Sequence, residues 1–182
     1  MIEKIALTGA PGSGKSSILR ELQSKGERTI AEAAQDIITY WLEKGMKEPW
    51  KRIYFQDEVL ALQLEREEEV EKLDGRVFID RGILDGLAYY QFRGNRLTEA
   101  MKKAIEDSKG RYKRVFLIEL GNNCEKTGVR SEDLNEARRL EDLQYKNYSE
   151  SGYKIERIPY IPIKERAEMI LNKIEETIGG IN

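Results

Sequence analysis

The chain has 182 residues, about one ordinary domain, and 40% hydrophobic with 35% charged residues implies a real core beneath a densely ionic surface. With 31 Lys and Arg against 33 Asp and Glu the net charge is −2, which removes the electrostatic case for broad nucleic-acid binding. The absence of histidine and the single cysteine, Cys124, exclude a Ser-His-Asp triad, a His-ligated zinc, an internal disulfide and a Cys-cluster metal site, so any proton transfer falls to Asp, Glu, Lys, Tyr or water.

Residues 4–8 form a short apolar run that predicts a buried strand, and residues 17–22 carry helical spacing. Between them lies Gly9-Ala10-Pro11-Gly12-Ser13-Gly14-Lys15-Ser16, continued by Ser17. Strand, G-x-x-x-x-G-K-S, helix is the context of a phosphate-binding (Walker A) loop. Glycines let the backbone bend so that successive N–H groups point inward, and the following helix adds the positive end of its dipole. Lys15 is then expected to reach the β- and γ-phosphates, and the Ser16 hydroxyl to ligate Mg²⁺. Residues 9–17 together are the candidate nucleotide cradle.

Gly26 stops the first helix, and residues 27–30 read as a short second strand. Residues 33–44 predict a helix closed by Gly45, and Pro49-Trp50 breaks the chain. A long helix is expected over 52–73, with Phe55, Val59, Leu62, Val70 and Leu73 on its apolar stripe. The glutamate run over 65–71 reads as a solvated face. Asp74-Gly75 ends that helix, and residues 76–80 give a third strand closing on Asp80. Open α/β sheets place their ligands at the carboxyl ends of strands, where Asp80 would hold Mg²⁺ with Ser16.

Helices are expected over 84–92 and 97–108, and residues 114–120 form the plainest strand, a near-continuous apolar run suited to burial on both faces. Residues 121–135 are polar and turn-rich. A helix over 136–149, a strand over 153–158 and a C-terminal helix striped by Ile163, Ala167, Ile170, Leu171, Ile174 and Ile178 complete the chain. The expected fold is α/β, a three-layer αβα sandwich around a mostly five-stranded parallel sheet of P-loop kinase-like type, in a single domain over residues 1–182. Residues 1–8 are read as the start of the first strand with no leader ahead of it, and no apolar stretch approaches transmembrane length, so the expectation is a soluble, cytoplasmic protein.

Gly9 to Ser16, combined with Asp80-Arg81-Gly82-Ile83-Leu84-Asp85-Gly86-Leu87-Ala88-Tyr89, resembles the small predicted ATPases of the P-loop superfamily, classed near thymidylate kinase, deoxynucleoside kinases and the nicotinamide riboside kinase domain. The likeness extends to Glu32-Ala33-Ala34, to residues 111–117 and to residues 152–159, nearly the whole chain. It implies that Glu32 acts as base or hydroxyl anchor, that Asp80-Arg81 orients phosphates, and that Asp85, one turn beyond, faces the acceptor. It also implies acceptor-binding helices within 33–73, a nucleotide base near residues 159–163, and an arginine-bearing lid within 121–135. Arg130 is the only arginine in that lid segment, with Arg138 and Arg139 on the helix beyond.

Three functions fit these residues. One is transfer of the γ-phosphoryl of Mg-ATP to a small nucleoside-, nucleotide- or vitamin-like acceptor. Another is hydrolysis that drives a switch or supports a partner protein. The third is a polynucleotide kinase, for which Lys102, Lys103, Lys109, Arg111, Lys113 and Arg114 are a local basic cluster set against the near-neutral total. No Asn-Lys-x-Asp guanine-reading sequence occurs, which favours ATP. Trp41, Trp50, Phe55 and Tyr89 are aromatics that could stack on a substrate or fill the core. A homodimer is compatible with all of this.

Overall fold

In the computed structural model, which describes residues 2–121 and 132–179, five strands form one all-parallel sheet. They are β1 (Glu3–Thr8), β2 (Arg28–Ile30), β3 (Arg76–Asp80), β4 (Arg114–Ile118) and β5 (Ile155–Ile158), in the order β2-β3-β1-β4-β5. Parallel neighbours need long crossovers, and the described helices supply them: α1 (Lys15–Ser24), α2 (Ala33–Glu43), α3 (Phe55–Glu69), α4 (Ile83–Arg93), α5 (Glu99–Asp107), α6 (Leu134–Glu150) and α7 (Ile163–Gly179), with a 3₁₀ turn at Pro49–Lys51. This is the expected α/β three-layer, P-loop kinase-like fold.

The central strands carry apolar side chains on both faces and so fill two cores at once. Ile5, Leu7, Phe78, Phe116 and Ile118 pack with Ile18, Leu19 and Leu22 of α1 and Ala167, Ile170 and Ile174 of α7. Their neighbours Ala6, Val77, Ile79 and Val115 face the opposite way, onto Leu84 of α4, Tyr112 and Tyr148 of α6. A smaller cluster, Leu60, Ile83, Tyr90, Met101 and Ala104, ties α3, α4 and α5 together. Among the described residues, no helix is long and apolar enough to cross a membrane.

The strand order fixes where a ligand can bind. β1 lies between β3 and β4, and Leu7 is level with Asp80. The loop after β1 and the turn after β3 therefore emerge side by side at the carboxyl edge, where the chain changes direction across the sheet.

The long third helix departs from the sequence expectation. It spans Phe55–Glu69, and its buried positions are Phe55, Gln56, Leu60, Gln63 and Glu67 rather than the apolar stripe Phe55, Val59, Leu62, Val70 and Leu73. Val70 and Leu73 fall beyond its end, and Leu73 is exposed. The acidic run is likewise not wholly a solvated face. Glu67 is fully buried, with Arg111 Nε at 2.6 Å and Lys4 Nζ at 3.5 Å from its Oε2, and Glu71 also pairs with Lys4 at 2.9 Å. A buried lysine on a central strand needs such partners, because an unpaired charge there would be prohibitively costly.

The local basic cluster dissolves in the same way. Arg111 pairs with Glu67, Arg114 with Glu156, Lys102 with Glu99 and Lys103 with Asp107. Most of its charge is thus cancelled within the protein.

Candidate active site

The loop after β1 is bent by three glycines at positive φ: Gly9 (131°), Gly12 (87°) and Gly14 (98°). Gly9 is held by close approach as well, since a Cβ there would lie 2.5 Å from the Ile118 carbonyl oxygen. Gly14 caps α1 in the left-handed conformation and offers no side chain to the helix; no acidic residue occupies the first turn. The Ser17 and Ile18 N–H groups donate to the Gly14 carbonyl, so those of Lys15 and Ser16 are the ones offered to a ligand, and nothing in the turn repels an anion.

Lys15 is buried at the base of this loop. Its ammonium donates to the carbonyl oxygens of Gly9 (2.8 Å) and Ala10 (2.9 Å) and approaches Ser13 Oγ (3.4 Å). Burial, and secondarily the neighbouring Arg81, lower its pKa from 10.5 to about 8, against the opposing pull of Asp80, Glu32 and Asp85. The unfolded chain therefore binds more protons than the folded one between those values, and this group's contribution to stability rises with pH across that window. The rise amounts to about 3 kcal/mol. Denaturation of the wild type and of Lys15→Met across pH 7–10.5 should show the wild type gaining stability relative to the variant by roughly that amount; parallel profiles would contradict the burial of a charged ammonium.

Ser16 and Asp80 meet across the cradle: Ser16 Oγ donates to Asp80 Oδ2 at 2.7 Å. The other carboxylate oxygen, Oδ1, is buried with no hydrogen-bond partner among the described residues. Burial raises the Asp80 pKa, while Lys15 opposes that shift. A hydroxyl, a carboxylate and a buried unsatisfied oxygen form a donor set that suits a hard divalent cation such as Mg²⁺, which takes oxygen ligands and shares them with phosphates. Among the described residues no group of three or more His, Cys, Asp or Glu forms a separate metal cluster.

Arg81 follows Asp80 and is the non-glycine residue with positive φ (71°) among the described residues. Such a conformation costs about 1–3 kcal/mol unless its surroundings over-determine it. Its guanidinium donates to Glu32 Oε1 (2.7 Å) and the Gly9 carbonyl (3.1 Å), and lies 3.4 Å from Asp85 Oδ1. Burial works against its charge, but Glu32, Tyr89, Asp85 and Asp80 hold its pKa raised. Glu32 stands at the N-cap position of α2 without a side-chain capping hydrogen bond. Its carboxylate turns to Arg81 instead, into the site.

Asp85 lines the cavity, but its carboxylate is already engaged within the protein. It is 1% exposed and accepts hydrogen bonds from Thr8 Oγ1 (2.8 Å), Gln144 Nε2 (2.9 Å), Tyr148 OH (2.8 Å) and the Gly82 amide (3.0 Å). It fastens β1, the start of α4 and α6, and has no lone pair to spare. Asp85→Asn should lower the urea-derived stability by at least about 3 kcal/mol with an unchanged slope, because the amide leaves buried donors unmatched.

The cradle, from Pro11 to Ser17, forms one end of a cavity of about 320 Å³. Its near wall is Lys15, Glu32, Asp80 and Arg81, and its far walls come from α2, the 3₁₀ turn, α3 and α4. Trp50, Phe55 and Tyr89 line it; Trp41 does not, stacking instead under Arg52 at 3.8 Å and donating to Glu58 at 3.0 Å. Gln56, Arg93 and Glu132 are polar lining residues that sequence reasoning missed. Gln56 follows Phe55 at the start of α3 and is buried.

Ile163, at the end of the 159–163 segment, packs against the loop, its Cδ1 lying 3.1 Å from where a Cβ on Gly14 would be. Arg166, 2% exposed, donates to the Ser13 carbonyl (2.6 Å) and the Ile161 carbonyl (2.5 Å) and stacks on Tyr160 at 4.5 Å. It braces the cradle from behind, and nothing in the sequence distinguishes it from other helix arginines. Arg138 and Arg139 lie exposed on α6, the latter over the Phe92 ring at 5.5 Å, and neither lines the cavity. Arg130 and residues 122–131 of the expected lid lie outside the described residues.

Comparison with known proteins agrees with this layout. The profile of a family described as an AAA domain matches residues 4–166. No curated protein sequence matches the chain. Among solved structures, a deoxyadenosine kinase from M. mycoides with bound dATP superposes with a TM-score of 0.69 at 17% identity, over 94% of this chain and 99% of that one. A thymidylate kinase from Candida albicans gives 0.64 at 15% identity (96% and 92% covered). A shikimate kinase from Aquifex aeolicus gives 0.58 at 18% (96% and 98%). At these identities the likeness is one of fold.

Proposed function

This chain belongs to the AAA domain family, and from that premise we propose that it is a Mg-dependent kinase transferring the γ-phosphoryl group of ATP to a hydroxyl of a small nucleoside-, nucleotide- or vitamin-like acceptor. The observation that carries this reading is that the 320 Å³ cavity holds the anion cradle at one end and continues past it to Ile38, Trp50, Phe55 and Met101, with Glu32 and Arg81 at the junction. Hydrolysis needs no such chamber, since water requires none. A carboxylate at the junction also favours a neutral hydroxyl over a phosphate acceptor, which it would repel.

The residues divide the work of an in-line displacement, which needs positioning and charge neutralisation more than covalent help. Backbone N–H groups of residues 9–17, Pro11 excepted because it carries none, and the Lys15 ammonium hold the β- and γ-phosphates, Lys15 exchanging its carbonyl partners for phosphate oxygens. Ser16 and Asp80 would hold Mg²⁺, which neutralises phosphate charge when bound. Glu32 accepts the proton of the acceptor hydroxyl as the new O–P bond forms; the bond to the β-phosphate oxygen breaks and ADP leaves with the electron pair. Arg81 links Glu32 to the loop, so base and cradle keep one geometry. Trp50, Phe55 and Tyr89 supply flat apolar surfaces for the acceptor, and Gln56 an amide that can read a polar edge.

A second reading, hydrolysis coupled to a partner protein, uses the same loop, Ser16 and Asp80 with water in place of the acceptor. ATP consumption measured against nucleosides, nucleotides and vitamin-like alcohols separates the two. Acceptor-stimulated turnover with a phosphorylated product supports the kinase; turnover indifferent to every acceptor favours hydrolysis.

A further inference from the structure

Arg81 holds a left-handed backbone that a non-glycine residue adopts only under constraint, and hydrogen bonds grip the chain on either side of the turn that follows it. The Arg81 carbonyl accepts from Gln63 Nε2 at 3.1 Å. The amide of Ile83, two residues on, donates to Tyr112 OH at 2.9 Å. Gln63 and Tyr112 both donate to the same oxygen of Glu67, Oε1, at 2.8 and 2.9 Å. The second oxygen, Oε2, is fixed by Arg111 at 2.6 Å and Lys4 at 3.5 Å. Between the two gripped groups sits Gly82, where a Cβ would lie 2.7 Å from Tyr112 Cζ.

We infer that Glu67, acting through Gln63 and Tyr112, is the positioning residue that sets the Arg81 guanidinium against Glu32 and the phosphate loop. Glu67 is fully buried and does not line the cavity, so it touches neither nucleotide nor acceptor. Burial, followed by the Glu67 charge, raises the Tyr112 pKa and keeps its hydroxyl a donor to Glu67 while it accepts from Ile83. Glu67 and Gln63 share one face of α3, the helix that also presents Gln56 and Phe55 to the cavity. The acceptor wall and the Arg81 turn are therefore joined through one carboxylate, and the role in transfer rests on the kinase reading above.

Tyr112→Phe keeps the ring and its packing and deletes one hydroxyl; Glu67→Gln is the companion variant should the first fail to fold. Two readouts are paired. The first is exchange of the Arg81 Nε–H with solvent by ¹⁵N NMR, assigned by its loss in Arg81→Lys and independent of any acceptor. It should quicken about ten-fold or more in either variant, as the salt bridge to Glu32 loosens. The second is kcat and KM with an acceptor found in the screen. kcat should fall about ten- to a hundred-fold with Mg-ATP affinity unchanged, as expected for a misplaced rather than missing group. In an Arg81→Ala background Tyr112→Phe should add nothing further to the kcat loss. An unchanged Nε–H exchange rate in folded variants overturns the inference, as does a kcat loss that multiplies with that of Arg81→Ala. If no acceptor stimulates turnover, the kinase reading fails and the exchange measurement alone decides the role of Glu67.

Discussion

Lys15→Ala is expected to abolish triphosphate turnover, by about 10³-fold or more, while the protein stays folded. The ammonium sits at the floor of the loop in direct contact with the carbonyls of Gly9 and Ala10, where phosphate oxygens would displace them. Its removal costs the transferring group its nearest fixed positive charge, in a buried setting where such charge is worth more than in water. The fold has no need of it, because a desolvated ammonium is a burden to the apo protein rather than a prop. Initial rates alongside thermal unfolding check both halves. A near-wild-type rate in a folded Lys15→Ala protein would remove the cradle from the mechanism.

The second large effect belongs to Glu32. Glu32→Gln should cut kcat about 10²-fold or more while Mg-ATP binding is retained, because the amide keeps the size and a hydrogen bond but cannot take a proton. Were Glu32 only a helix cap, the same change would shift stability and leave kcat alone. Its side chain makes no capping hydrogen bond and turns 2.7 Å onto Arg81 instead. An unchanged kcat would strike Glu32 from the reaction and shift attention to hydrolysis by positioned water.

Residues that act through local spacing were legible in the sequence. Gly9 to Ser16 needed only a strand before and a helix after, and Asp80 only an apolar strand ending in a carboxylate; the structure brings Ser16 and Asp80 within 2.7 Å across 64 residues. Apolar strands buried on both faces made the parallel sheet readable as well. Misreadings came where tertiary pairing decides. Glu67 looked like one of several glutamates on a wet helix face, yet Lys4 and Arg111, distant in sequence, draw it into the interior. Asp85 does line the cavity, but the convergence of Thr8, Gln144 and Tyr148 on its carboxylate left no trace in the sequence. Long-range hydrogen bonds leave no period in a sequence, so the polar skeleton under Arg81 could not be read from it.

The measurement that bears most directly on the account is titration calorimetry of the folded protein with ATP in the presence of Mg²⁺. One-to-one uptake, abolished in Lys15→Ala and weakened in Asp80→Asn, is the predicted result. Absence of heat with any nucleoside triphosphate, at protein concentrations that would reveal micromolar binding, would contradict it.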